Sequence, residues 1–133
     1  LHPLDAAARA AGGEVMSEHD TQAAFFQLAG YNEGQYPCLR WMHAIPNGGL
    51  RNRNVAMKLK REGVKAGVWD VFLPYPSGGW HGLYIEFKFG TNKLTDNQIE
   101  FGDYLKENQY CRVVAYDAGE AMNSVISYLE GEL

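Results

Sequence analysis

The sequence predicts an α/β fold in which a mixed central β-sheet is flanked by α-helices. Segments with period-two alternation, typical of strands, occur in turn with segments that carry helix-capping patterns or a period of 3.6. The apolar stripes of the helices need a sheet face against which to bury. We therefore expect the order helix, strand, helix, strand, strand, helix, strand, helix.

The length and the start of the chain define one domain. At 133 residues, of which 46% are hydrophobic, the chain fits a single compact domain. Residues 1–15 begin without methionine and are rich in alanine and glycine, whereas Met16 opens the patterned sequence. We interpret residues 1–15 as an added or disordered leader, with a short native helix as the alternative. The domain is then predicted over residues 16–133.

The first half of the domain is predicted to contain two helices and one strand. Ser17, with Asp20 three residues later, is close to a capping box and begins the first helix. Residues 39–45 are predicted as the first strand. Residues 54–61 favour a short helix, which Gly63 ends.

Two strands in the middle of the chain are predicted to form a hairpin. Residues 68–73 and residues 82–89 alternate as strands, and the segment between them is rich in turn-forming residues. If Gly78 is the midpoint, positions whose numbers sum to about 156 lie opposite one another. This register pairs Asp70 with Glu86.

The last third of the domain is predicted to contain two capped helices with a strand between them. Thr95 and Gln98 form a capping-box pattern that opens a helix. Residues 112–116 are predicted as the last strand. Asp117 then caps a final amphipathic helix.

The predicted strand 82–89 carries an unusual combination of charges. Alternation puts Glu86 and Lys88 on one face, and burial of such a pair costs several kcal/mol per ion unless other groups compensate. A structural ion pair and a reactive site both explain this pattern. The predicted pairing adds Asp70 opposite Glu86, and two facing carboxylates repel. A divalent cation between them would remove that conflict.

The charge distribution points to one basic segment in an acidic protein. The net charge of −4 argues against a general nucleic-acid coat or a membrane-surface protein. Half of the basic residues nevertheless fall within residues 51–65: Arg51, Arg53, Lys58, Lys60, Arg61 and Lys65. A solvated helix face and a phosphate-binding edge are both open interpretations.

Several classes of protein are excluded. Cys38 and Cys111 are the only cysteines and no Cys-x-x-Cys occurs, so neither a disulfide scaffold nor a zinc site is indicated. Gly48 and Gly49 are not part of a phosphate-binding loop, and we expect no nucleotide cofactor. The chain has neither a membrane-spanning run nor a signal peptide, so we expect a soluble, cytoplasmic protein.

The motifs together resemble a known nuclease family. Asp70 followed by Glu86-Phe87-Lys88 is similar to the signature of the PD-(D/E)XK nuclease superfamily. The surrounding motifs resemble, in order, those of the virus-type replication-repair nuclease (VRR-NUC) family: Glu18 in the opening helix, Ile45-Pro46-Asn47-Gly48-Gly49, Gly67-Val68-Trp69-Asp70, Ile85-Glu86-Phe87-Lys88 and Leu94-Thr95-Asp96-Asn97-Gln98. Trp69 departs from the pattern, since the family usually has proline there.

The resemblance implies a PD-(D/E)XK-like fold and a set of roles for the site residues. Asp70, Glu86 and the carbonyl of Phe87 would bind Mg²⁺ or Mn²⁺, and Glu18 would complete the site directly or through water. Lys88 would orient or activate the attacking water. Gln98 has a full explanation as a helix cap, and the resemblance adds a role near the metal. Phosphate contacts would come from the turn and the basic segment: Asn47, Arg51, Arg53, Lys58, Lys60 and Lys65.

The resemblance also implies a function, a divalent-metal-dependent endonuclease of DNA. We expect a homodimer that cuts four-way (Holliday) junctions or other branched DNA, because one small domain offers one active site and a two-fold dimer supplies two incisions. If the gene belongs to a phage, the location is the host cytoplasm. The alternatives are a weakly catalytic module that binds branched DNA, a nuclease of flap or linear DNA, and a two-carboxylate glycosidase, which the adjacent lysine disfavours.

Overall fold

A mixed four-stranded sheet forms the centre of the domain in the computed structural model, which describes residues 17–46 and 53–133. In chain order the elements are α1 (Glu18–Asn32), a short 3-10 helix (Pro37–Trp41), β1 (His43–Ala44), α2 (Arg53–Arg61), β2 (Val71–Leu73), β3 (Leu83–Phe87), α3 (Asp96–Glu107), β4 (Cys111–Ala115) and α4 (Ala118–Leu129). The predicted fold class and the predicted order of elements are confirmed. Asn47 and Arg51 lie outside the described residues.

The strands follow one another across the sheet in the order β1-β2-β3-β4. β1 and β2 are antiparallel, as are β2 and β3, whereas β3 and β4 are parallel because α3 carries the chain across between them. Within the hairpin, Val71 lies opposite Ile85 and Leu73 opposite Leu83. The register predicted from the turn midpoint is therefore confirmed.

One predicted element is wrong in part. Residues 39–45 were expected as a strand, but the 3-10 helix occupies Pro37–Trp41 and β1 has only two residues. Pro37 stands at the start of this helix, where its missing N–H is not needed and its fixed φ suits the first turn. A backbone bond from the Met42 N–H to the Leu39 carbonyl closes the turn.

The two faces of the sheet have different covers. On one face Leu83, Ile85 and Phe87 of β3 are buried in the main core under α1 and α4, and the Phe87 ring packs edge-on against Phe25 of α1 at a centroid distance of 5.3 Å. On the other face α3 packs against the sheet, with Phe101 contacting Tyr84. Glu86 and Lys88 point to this second face.

Capping fixes where each of these helices begins. Ser17 and Asp20 form the predicted capping box of α1, and Thr95 and Gln98 form that of α3. The carboxylate of Asp117 accepts a hydrogen bond from the Glu120 N–H at the start of α4. By contrast, α2 has no buried residue and stands on the surface.

Gly67 allows α3 to approach the segment before β2 very closely. Its φ is +89°, and a Cβ built on it would lie 2.6 Å from the carbonyl oxygen of Asn97. Gly63 also has a positive φ, +102°, but a Cβ there would meet nothing within 4 Å. Both glycines therefore have a positive φ, but only Gly67 lies against another part of the chain, the backbone of Asn97.

We predict that Gly67→Ala destabilises the protein more than Gly63→Ala. Both substitutions put a side chain in the left-handed region, at about 1–2 kcal/mol, but only Gly67→Ala must also displace the start of α3. The free energy of unfolding in urea should therefore fall further for Gly67→Ala by at least about 1 kcal/mol, in the range of overpacking effects. Equal midpoints for the two variants would show that this approach is not a tight one.

Candidate active site

Glu86 is the centre of the candidate site. It lies on β3 beneath α3 and is 2% exposed. Its Oε2 accepts a hydrogen bond from Nε2 of Gln98 at 2.8 Å and lies 3.6 Å from Nζ of Lys88, which is 9% exposed. Its Oε1 is buried and has no hydrogen-bond partner among the described residues. One oxygen of this carboxylate is thus held by the protein, and the other is left without a donor.

Asp70 supplies the second carboxylate of the site. It lies immediately before β2, at the position that the hairpin register continues opposite Glu86. Its Oδ2 accepts a hydrogen bond from the backbone N–H of Phe87 at 2.8 Å. This bond fixes Asp70 to the strand that carries Glu86. The two acids therefore share one end of the hairpin.

Burial and charge both disfavour the ionised form of Glu86. Desolvation by burial, followed by the neighbouring charge of Asp70, raises the pKa of Glu86; with the opposing effect of Lys88 included, the pKa moves from 4.5 to about 8. An unpartnered carboxylate oxygen beside a second carboxylate is an arrangement that a hard divalent cation would satisfy. The donor set of Asp70 and Glu86 therefore fits Mg²⁺ or Mn²⁺.

Gln98 uses both ends of its amide. Its Oε1 accepts a hydrogen bond from the Thr95 N–H at 3.0 Å, which completes the capping box of α3. Its Nε2 donates to Glu86. The two explanations that the sequence left open for Gln98 are therefore geometrically compatible, since one side chain caps the helix and contacts the acid at the same time.

These residues line a cleft of about 690 Å³. Its floor carries Asp70, Glu86, Lys88 and Gln98, and its wall includes Lys60 and Lys65. The lining is completed by Glu18 at the first position of α1 and by an apolar and small-residue group: Ala56, Leu59, Val64, Ala66, Gly67 and Val68. A cleft of this size can admit a nucleotide-sized group beside the acids.

Of the other residues that the sequence singled out, some line the cleft and others do not. Glu18 is exposed and lines the cleft, but no group of three His, Cys, Asp or Glu able to hold a metal occurs within residues 17–46 and 53–133. Phe87 buries its side chain in the core while its N–H serves Asp70. Arg53 and Lys58 are exposed on α2 and do not line the cleft.

Comparison with known proteins identifies the family. The profile of the VRR-NUC domain matches residues 15–118. The chain belongs to the VRR-NUC family. A solved structure described as a VRR_NUC domain protein is similar over 88% of this chain and 91% of that one, with 28% sequence identity and a TM-score of 0.70. A search of curated proteins found no match.

Membership of the VRR-NUC family implies a nuclease-type function, and with it nucleic-acid binding and hydrolysis. Domains of this kind generally use divalent metals, which agrees with the donor set at Asp70 and Glu86. None of the described helices has both the length and the apolar character needed to span a bilayer.

Trp69 is the contact of this VRR-NUC site that sequence reasoning missed. Its indole is 1% exposed, and its Nε1–H donates to the carbonyl of Gln98 at 2.9 Å. The sequence marked Trp69 as a departure from the motif that it resembles, but did not show what the indole contacts. Its partner lies 29 residues away in the chain, which no local pattern reveals.

The raised pKa of Glu86 predicts how the stability of the metal-free protein depends on pH. The folded state holds a proton on Glu86 up to about pH 8, whereas the unfolded chain releases it near 4.5. This group therefore supports folding at low pH, and its contribution is lost as pH rises between those values. The slope for one such proton is at most about 1.4 kcal/mol per pH unit.

Urea unfolding in EDTA at several pH values between 5 and 8 measures how much Glu86 contributes to the pH dependence of the free energy of unfolding. Glu86→Gln keeps the shape of the protonated acid and should flatten the decline seen for the unaltered protein. Glu107→Gln, at an exposed position, serves as the control and should leave the slope unchanged. Parallel curves for the unaltered protein and Glu86→Gln would contradict the buried-acid interpretation.

Proposed function

We propose that this VRR-NUC domain is a divalent-metal-dependent DNA endonuclease that hydrolyses phosphodiester bonds, with Asp70, Glu86 and Lys88 as its active-site residues. The observation that carries the proposal is the buried Glu86 oxygen without a donor, next to a second carboxylate and a lysine in one cleft. A purely structural ion pair would satisfy both oxygens of such a carboxylate. The cleft also gives a phosphate access to these groups.

The residues that would hold the cation are Asp70 and Glu86, with the Phe87 carbonyl and, directly or through water, Glu18. When bound, Mg²⁺ or Mn²⁺ would polarise the scissile phosphate and neutralise charge on the departing oxygen. The donor oxygens are of the kind that these hard cations prefer.

Lys88 and Gln98 both lie at Oε2 of Glu86, the oxygen that already has partners in the protein. The ammonium of Lys88 lies 3.6 Å from Glu86 Oε2 and borders the cleft, so it can donate a hydrogen bond to an attacking water and orient it. Gln98 holds the same oxygen of Glu86 and keeps the carboxylate from rotating. Because Lys88 and Gln98 both lie at Oε2, we assign the cation to Oε1 of Glu86.

Substitution of the two central residues tests the proposal. Asp70→Asn and Lys88→Ala should each lower cleavage by at least about 100-fold, the scale of a lost acid–base group, with folding retained. EDTA should abolish cleavage by the unaltered protein. Mn²⁺ should raise the melting temperature of Lys88→Ala but not that of Asp70→Asn, because only the second loses a metal ligand.

Lys93→Ala is the matched control, since Lys93 is an exposed lysine of the loop before α3. It should cut at the rate of the unaltered protein. Near-normal cleavage by Asp70→Asn or Lys88→Ala, or undiminished cleavage in EDTA, would remove the proposed site.

The phosphate contacts are proposed to come from the basic segment. Lys60 and Lys65 line the cleft, whereas Arg53 and Lys58 point outward from α2 and would follow the nucleic acid beyond it. Arg51 and Asn47 precede α2 in the chain and complete the proposed set.

Salt dependence measures these contacts. Each phosphate contact contributes about 0.9 to the slope of log affinity against log salt on duplex DNA. Replacing both Lys60 and Lys65 by alanine should therefore reduce the magnitude of this slope by about 2, whereas Lys106→Ala on α3 should leave it unchanged. An unaltered slope in the double variant would show that the basic segment is a solvated helix face and does not contact phosphates.

The preferred substrate is proposed to be branched DNA, in particular the four-way junction. We propose that a homodimer cuts it in the cytoplasm, which is the host cytoplasm if the gene is phage-borne. Each domain would supply one active site, and symmetric resolution needs two incisions related by a two-fold axis. Trp41 is 65% exposed and could serve an interface, whereas Tyr128 is buried in the core and Trp80 donates its indole N–H to the Leu133 carbonyl. Of these three aromatic side chains, Trp41 is the one left largely exposed, with the Arg40 guanidinium over its ring at 5.0 Å.

Sedimentation equilibrium at micromolar concentration, together with a junction assay that counts incisions, tests this finer proposal. We expect a dimer that makes paired cuts, and a monomeric Trp41→Ala variant that makes single nicks. A monomer that ignores junctions and cuts flap or linear DNA would support the alternative substrate. Junction binding without cleavage would favour a binding module.

A further inference from the structure

The segment that carries Asp70 is attached to the helix that carries Gln98 by three contacts. Gly67 allows the backbone of Asn97 to approach it. Trp69 donates its Nε1–H to the carbonyl of Gln98 at 2.9 Å. The Trp69 ring lies so close to Gly102 that a Cβ there would be 2.8 Å from its Cζ2.

These contacts join both acids of the site. Trp69 is covalently next to Asp70, and through the Gln98 carbonyl it fixes the turn whose side chain donates to Glu86. A buried indole N–H needs a partner, and for this ring, which is 1% exposed, the Gln98 carbonyl supplies it. The carbonyl has two lone pairs, so it can accept from Trp69 in addition to its helical bond.

We propose that Trp69 is a positioning residue for the metal site, a proposal that rests on the function given above. It holds the first turn of α3 so that the Gln98 amide stays on Glu86 Oε2, which leaves Oε1 as the oxygen available to the cation. The Gln98 side chain is already anchored at its Oε1 by Thr95. Its reach toward Glu86 therefore depends on where the turn itself lies.

The geometry sets how much displacement the arrangement tolerates. The bond from Gln98 Nε2 to Glu86 is 2.8 Å long, and a shift of the turn by about 1 Å would take it past hydrogen-bonding distance. Partners that orient a metal-binding side chain typically contribute about 10–100-fold in metal affinity. Trp69 acts one step further out, through Gln98.

Trp69→Phe tests this role because it removes the N–H donor and keeps an aromatic ring at position 69. We expect the apparent Kd for Mn²⁺ to rise about tenfold, at the lower end of that range. Trp80→Phe is the matched control, since Trp80 also donates its Nε1–H to a backbone carbonyl, that of Leu133 at 3.0 Å. It loses the same kind of bond and should change the Kd by less than about twofold.

A double-variant comparison separates positioning from general stability. If Trp69 acts through Gln98, Trp69→Phe should cause no further loss of Mn²⁺ affinity in a Gln98→Ala protein. Equal losses in both backgrounds would overturn the proposal, as would an unchanged Kd for Trp69→Phe. Should Trp69→Phe not fold, a benzothiophene analogue of tryptophan at position 69 removes the N–H and keeps the shape of the ring, with the same outcomes expected.

A second readout needs no metal. In the metal-free protein the side-chain amide protons of Gln98 should exchange slowly with solvent in the NMR spectrum, and Trp69→Phe should make this exchange faster while Trp80→Phe does not. If the unaltered protein binds no Mn²⁺ but the Gln98 signal responds as expected, the proposed function falls, and of the inference only the positioning of Gln98 by Trp69 stands. If Mn²⁺ binds and neither readout responds to Trp69→Phe, only the positioning role falls.

Discussion

The antiparallel pairing of β2 with β3 is the constraint on which the rest of the structure depends. Its register is fixed because a slip by one residue would turn Leu83, Ile85 and Phe87 out of the core. The same register continues to Asp70 and Glu86, so the burial of apolar side chains on one face brings two carboxylates together on the other. Hydrophobic burial on one face thus holds the two acids together on the other, and in the metal-free protein the raised pKa keeps Glu86 protonated up to about pH 8.

The elements around the hairpin reduce the cost of that pair without removing it. Asp70 receives the Phe87 N–H, and one oxygen of Glu86 receives Gln98 with Lys88 nearby. The second oxygen of Glu86 is left without a donor, and the pKa of Glu86 rises to about 8. A buried group left unsatisfied in this way is a reservoir of free energy that a ligand can release on binding. Nuclease function in this family is consistent with a cation as that ligand.

Local patterns predicted the parts of this arrangement that are local in origin. The midpoint at Gly78 gave the register, because hairpin pairing follows from turn position and alternation. The capping boxes at Ser17 and Thr95 were readable for the same reason, since both partners lie three residues apart. The first strand was predicted too long, because Pro37, which stands just before the predicted segment, opens a 3-10 helix that runs to Trp41. The bond from Trp69 to Gln98 was unreadable, since it depends on where α3 docks.

Anomalous diffraction from crystals soaked in Mn²⁺ tests the central claim most directly, namely that Asp70 and Glu86 form a cation site completed by the unpartnered oxygen. The account predicts a dominant anomalous peak within coordination distance, about 2–2.5 Å, of both Asp70 and Oε1 of Glu86. A protein that cleaves DNA in Mn²⁺ while its crystals show no peak between these two carboxylates would contradict the account.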